Sequence, residues 1–163
     1  MAIAVYAGSF DPITLSHVSV IKRAAKDYEK LIVLIALSPD KASFLSVEER
    51  LHLAQEAVAG LPNVEVDTSV ELVATYARAH RAKVLVRGVR SSTDIEAEIK
   101  IANLNHDLDP NLETVFVPAD RNLQEATSSQ LRAWVAEGKD VSKFCAPSVE
   151  AAIRERLSGS LAP

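Results

Sequence analysis

Four groups of polar residues in this chain have types and spacing suited to handling phosphate. The first is Gly8-Ser9-Phe10-Asp11-Pro12-Ile13-Thr14-Leu15-Ser16-His17, which follows the apolar run Ile3–Tyr6 and precedes the helical pattern that begins near Ser16. A strand, a turn of small residues and then a helix present backbone N–H groups and a helix N-terminus to an anion. Gly8 allows a close backbone approach, Ser9 adds a hydroxyl, and Asp11-Pro12 turns the chain. His17 falls in the first helical turn, where it can donate a hydrogen bond to a phosphate oxygen. The second group is Arg87-Gly88-Val89-Arg90, at the mouth of the apolar run Val84–Val86. Its two planar guanidinium forks suit phosphate. Asp94 and Glu98 follow with the i,i+4 spacing that points two carboxylates the same way on a helix. The third is Lys41 beyond Ser38-Pro39-Asp40, and the fourth is Ala126-Thr127-Ser128-Ser129, which opens a helix through Gln130-Leu131-Arg132. Hydroxyls at a helix start either cap it or bind phosphate together with its N–H groups. The chemistry these groups suit is phosphoryl or nucleotidyl transfer.

Other chemistries find little support. No nucleophilic triad is visible, and His52, His80 and His106 are too scattered for metal-ligand spacing, so they read as surface or core histidines. The single cysteine, Cys145, has no disulfide partner and reads as a packing residue of a reducing compartment. The net charge of −4 and the absence of a Lys/Arg-rich block argue against nucleic acid as a partner. No signal peptide and no membrane-length apolar run is apparent, which predicts a cytoplasmic protein.

The elements that must position these groups follow from hydrophobic pattern. Ile3–Tyr6, Leu31–Leu37, Val64–Val66, Val84–Val86 and Thr114–Val117 read as strands without polar alternation, covered on both faces as in a parallel sheet. Helical patterns lie over 16–26, 48–59, 71–80, 93–106, 128–137 and 147–157, and Ser46-Val47-Glu48-Glu49 has the form of a capping box. Alternating strands and helices predict an α/β fold, a single-domain doubly wound, Rossmann-like parallel sheet with helices on both faces. The domain spans residues 1–158, with 159–163 as a frayed tail. Ligands of such sheets bind beyond the carboxyl ends of the strands, and polar residues fall there: Gly8-Ser9 after the first strand, Ser38-Pro39-Asp40-Lys41 after the second, Arg87-Gly88 after the fourth and Pro118-Ala119-Asp120 after the fifth.

Gly-Ser-Phe-Asp-Pro-Ile-Thr-x-x-His, Ser-Pro-x-Lys, Val-Arg-Gly-x-Arg followed by Asp-x-Glu-x-Glu, and Thr-Ser-Ser together resemble the phosphopantetheine adenylyltransferases, nucleotidyltransferases with a Thr/His-x-Gly-His signature, from about residue 2 to 157. The resemblance implies transfer of the adenylyl group of ATP to 4′-phosphopantetheine, giving 3′-dephospho-coenzyme A and pyrophosphate, with Mg²⁺ as cofactor. It also implies a homohexamer and coenzyme A as a feedback ligand. By position it makes His17, Lys41 and Arg90 catalytic, and it places Ser9, Lys41, Val73 and Arg87 on the acceptor. ATP falls to Ser9, Phe10, His17, Gly88, Val89, Arg90 and Glu98, and to the stretch Leu123, Gln124, Glu125, Ala126, Thr127, Ser128 and Ser129. No residue is implied as a protein-held metal ligand. The chain departs from the pattern at Leu15, at Ser16 (usually glycine) and at Ala126. Two other readings of the same residues stand beside it: a nucleotidyltransferase of this fold with a different acceptor or nucleotide, and an ATP-binding module without catalysis.

Overall fold

The computed structural model describes residues 2–160. Five strands form one all-parallel sheet in the order β3-β2-β1-β4-β5: β1 Ile3–Gly8, β2 Lys30–Ala36, β3 Val64–Ser69, β4 Val84–Val89 and β5 Glu113–Pro118. The helices between and after them are α1 Leu15–Ala24, α2 Val47–Val58, α3 Val73–Ala79, α4 Ser92–Leu108, α5 Ser128–Ala136 and α6 Pro147–Ser160. This is the expected Rossmann-like α/β architecture. Strand order reverses between β1 and β4, so their carboxyl ends flank the crevice where such sheets bind ligands.

The three inner strands are covered on both faces because their central positions are apolar or small; the charged exceptions, Lys30 and Arg87, fall at or near strand ends. Ala4, Tyr6, Leu31, Val33 and Ile35 face a core shared with α1, α2, α5 and α6, while Val5, Ala7, Ile32 and Leu34 face a second core closed by Ala74, Tyr76 and Ala77 of α3. The edge strands depart from the expectation of two buried faces. In β3 only Val64 is buried and in β5 no residue is, exposed positions alternating with half-buried ones along much of each strand, because each edge strand has a neighbour on one side and helices over only part of its surface. α6 continues through Ser158 and Gly159 to Ser160, and residues 161–163 lie outside the described ones.

The starts of α1, α2, α4 and α5 are fixed by side-chain caps. Ser46 caps α2 in the expected box with Glu49, Ser91 caps α4 and Thr127 caps α5. Helix α1 begins at Leu15 because Thr14 is its cap: Thr14 Oγ1 accepts from His17 N–H, and Thr14 N–H donates to His17 Nδ1 at 3.0 Å. A histidine thus takes the role that glutamate takes in α2, and the same bond aims its ring.

Candidate active site

The turn after β1 is held from two sides. Phe10 lies at φ 44°, a left-handed conformation costly for a bulky residue. Its ring is buried edge-on against Tyr6 (5.2 Å between centroids) and His17 (5.0 Å), and that packing offsets the strain. The Asp11 carboxylate accepts from Phe44 N–H (2.6 Å) and Leu45 N–H (2.8 Å). Arg50 of α2 donates to Ser9 O at 3.2 Å, and Ser128 Oγ donates to Pro12 O at 2.8 Å. The segments ahead of α2 and at the start of α5 therefore meet on one turn.

His17 Nδ1 accepts the Thr14 amide proton, so the ring proton resides on Nε2, which is left as a donor. Burial, then the Arg90 and Arg87 charges, push its pKa down to about 4. At neutral pH His17 is an uncharged hydrogen-bond donor in the first turn of α1, beside the positive end of the helix dipole.

At the end of β4 the carboxylates Asp94 and Glu98 do face one way, and each engages one arginine. Glu98 accepts from Arg87 Nε at 2.6 Å and Nη2 at 2.9 Å, while Arg87 Nη1 donates to Ala7 O at 2.7 Å. The bond to Glu98 raises the Arg87 pKa against the opposing effect of burial. Asp94 accepts from both Arg90 Nε (3.1 Å) and Arg90 N–H (3.0 Å). Both guanidinium groups are thus oriented before any ligand arrives, and Arg87 keeps two of its five N–H groups unengaged.

These residues open onto one cleft of about 850 Å³ at the carboxyl ends of the strands, whose lining includes Ser9, His17, Lys41, Val73, Arg87, Arg90, Thr127, Ser128 and Ser129. A smaller recess of about 130 Å³ shares His17, Arg87 and Arg90 with it and adds Phe10, Gly88, Glu98 and Ala126. Four expected residues line neither. Val89 is buried in the core, and Leu123, Gln124 and Glu125 lie on and just after a single 3₁₀ turn, Arg121–Leu123. Two of the hydroxyls at the start of α5 are engaged as caps or braces: Thr127 Oγ1 accepts from Gln130 N–H and Ser128 donates to Pro12. Ser129 meets only Thr127 Oγ1, at 3.5 Å.

Two cations in the cleft wall were not anticipated. Arg50 is buried, and nothing in its helical surroundings announces the turn it reaches. Arg132 lies over the Phe44 ring, 5.3 Å from its centroid, with Nε buried and unpartnered. Its signal was present, because Arg132 follows Ser128 by one helical turn. Tyr6, in the smaller recess, was hidden in an apolar strand pattern. His52, His80 and His106 stay outside both recesses, and Cys145 is buried with its thiol pushed up to about 11 by desolvation.

Residues 5–134 match the cytidylyltransferase-like family model. Among curated relatives, the phosphopantetheine adenylyltransferase of Cupriavidus pinatubonensis is 40% identical over 97% of this chain and 98% of its own length. That of Herpetosiphon aurantiacus is 42% identical over 95% and 94%. A Vibrio parahaemolyticus crystal structure assigned as a nicotinate-nucleotide adenylyltransferase shares the fold, with a TM-score of 0.67 at 20% identity over 94% of this chain and 91% of that one. The chain belongs to the cytidylyltransferase-like family and, within it, to the phosphopantetheine adenylyltransferases.

Proposed function

We propose that this cleft transfers the adenylyl group of ATP to 4′-phosphopantetheine, releasing pyrophosphate and forming 3′-dephospho-coenzyme A. The observation that carries the reading is the convergence, at the ends of β1 and β4, of cations and hydroxyls from distant parts of the chain, with two of the arginines already oriented by their own carboxylates. The relatives named above carry this activity in their names.

The acceptor phosphate is its own nucleophile. With a second pKa near roughly 6 it is mostly dianionic at neutral pH, and one of its oxygens bonds to the α-phosphorus as the bond to the β-phosphate oxygen breaks. No general base is required. The barrier is the mutual repulsion of two polyanions, so catalysis is positioning and charge stabilisation. Lys41 and the unengaged N–H groups of Arg87 dock the acceptor phosphate, Ser9 lies between acceptor and ATP, and Val73 packs against the pantetheine arm. Arg90 and the start of α5 at Thr127, Ser128 and Ser129 hold the β- and γ-phosphates. His17 Nε2–H and the α1 N-terminus stabilise the charge that grows on the α-phosphate.

Magnesium fits this donor set only as a companion of the triphosphate. Among the described residues no three His, Cys, Asp or Glu side chains gather to hold a cation, and Asp94 and Glu98 are engaged by arginines. The oxygens of the triphosphate would carry the ion.

Self-association into a hexamer is supported by α4, which buries none of its residues and leaves Ile99, Leu104 and Leu108 exposed beside the open edge of β5. Coenzyme A as a feedback ligand follows from its likeness to the product. No helix among the described residues is long and apolar enough to cross a membrane, in keeping with work in the cytoplasm.

The test is pyrophosphate release from ATP with each of 4′-phosphopantetheine, nicotinamide mononucleotide and glycerol 3-phosphate. Release that depends on 4′-phosphopantetheine alone supports the reading. Release with another acceptor, or ATP binding without release, refutes it.

A further inference from the structure

Two hydroxyls in the smaller recess lack a partner. Tyr6 and Ser16 are each at least nine-tenths buried, with 6% and 5% of their surface exposed, and both line the recess of about 130 Å³. Among the described residues neither Tyr6 Oη nor Ser16 Oγ makes a hydrogen bond. Neither oxygen is sealed from solvent, since among the described residues the one fully enclosed unpartnered side-chain atom is Arg132 Nε, and both residues line the recess.

Neither hydroxyl has a structural task. Thr14, not Ser16, caps α1, and the Ser16 carbonyl, not its hydroxyl, accepts from Ser19 Oγ at 2.7 Å. The Tyr6 ring already packs edge-on against Phe10, which a phenylalanine would do as well. Burial pushes the Tyr6 pKa up to about 12, so its phenol keeps its proton. Buried tyrosine hydroxyls ordinarily find a partner, and one without costs stability. The surrounding wall is small: Gly88, Ala119, Ala126 and Ser16 leave the space between the end of β4 and α1. A Cβ on Gly88 would come within 3.1 Å of Tyr6 Oη. The recess opens beside His17 and Arg90, which the proposed function places on the triphosphate.

We propose that Tyr6 Oη and Ser16 Oγ bind the nucleoside half of ATP, the sugar and base beyond the α-phosphate, and so set nucleotide affinity without touching the acceptor or the leaving pyrophosphate. This rests on the functional reading only in taking ATP as the nucleotide; the choice of acceptor does not enter it.

The experiment is calorimetric binding of ATP and of inorganic pyrophosphate to wild type, Tyr6→Phe, Ser16→Ala and the double variant, with thermal midpoints of the ligand-free proteins. Each single variant should weaken ATP about three- to tenfold and the double about tenfold to a hundredfold, with pyrophosphate binding unchanged. The ligand-free midpoints should stay level or rise, because an unpartnered hydroxyl has been removed. Unchanged ATP affinity overturns the assignment, as does equal weakening of ATP and pyrophosphate or a lowered midpoint with ATP affinity intact. ATP binding is measured without acceptor, so a failure of phosphopantetheine to support turnover would sink the functional reading while leaving this result to stand or fall alone.

Discussion

Replacing His17 separates its two tasks, because one ring nitrogen holds the helix start and the other faces the cleft. Alanine removes the Thr14 N–H bond to Nδ1 (3.0 Å), a capping contact that contributes about 1 kcal/mol. It also removes the edge contact with Phe10 at 5.0 Å, which contributes about 1 kcal/mol more. His17→Ala should therefore lose about 2 kcal/mol of stability in denaturant unfolding. Loss of the Nε2–H donor costs about 3 kcal/mol in the transition state, roughly a hundredfold or more in kcat, with little change in nucleotide affinity. Gln and Glu both suit the third position of a capping box. His17→Gln and His17→Glu should each recover about 1 kcal/mol of stability. Their turnover should diverge: the amide of glutamine can still donate, whereas a carboxylate beside the α-phosphate repels it, so His17→Glu should be the least active of the three. Stability and kcat are thus predicted to rank the variants differently. Turnover that simply follows stability across the series, or wild-type turnover in His17→Ala, would refute the assignment of Nε2–H to the reaction.

Three further outcomes follow from the same contacts. Because His17 has a native pKa of about 4 against an unfolded value near 6.5, the unfolded chain takes up its proton first as pH falls; the stability from keeping the ring neutral is complete above about pH 6.5, shrinks between 6.5 and 4 by at most about 3 kcal/mol, and is gone below. Unfolding midpoints between pH 4.5 and 7.5 should show this slope in wild type and a shallower one in His17→Ala. Glu98→Gln removes the charge that receives two Arg87 donors at 2.6 and 2.9 Å; steady-state kinetics should give a KM for 4′-phosphopantetheine raised about tenfold, and unfolding a loss of about 1–2 kcal/mol. Gly88→Ala places a Cβ 3.1 Å from both Tyr6 Oη and Val20 Cγ2, which should lower thermal stability by about 1–2 kcal/mol and weaken ATP binding, and Tyr6→Phe in the same chain should relieve part of the stability loss.

The inner strands were legible because Ile3–Tyr6, Leu31–Leu37 and Val84–Val86 are apolar at every position, as two-sided burial demands. The edge strands were less so, since Val64-Glu65-Val66 already alternates and its single-sided covering depends on what lies beyond the sheet. Ser46 and Glu49 announced the start of α2 through a local rule, whereas Thr14 and His17 did not, because histidine is an unusual partner in that box. The polar groups of the site lay at strand ends as the topology requires. Which carboxylate meets which arginine could not be read, because Arg87 and Glu98 pair across eleven positions only once α4 packs beside β4. Arg50 was hidden for the same reason, since the turn that receives it comes forty-one positions earlier. The left-handed Phe10 had no local signal at all; packing, not residue type, imposes it.

The claim underlying the mechanism is that acceptor phosphate and α-phosphorus meet directly, held by Lys41, Arg87, Arg90 and His17, with no covalent adduct on the chain. The stereochemical course of the reaction with one diastereomer of adenosine 5′-O-(1-thiotriphosphate) tests it most directly. A single in-line displacement predicts inversion at the α-phosphorus in the dephospho-coenzyme A product. Retention, the mark of two successive displacements through an adenylylated side chain, would contradict it.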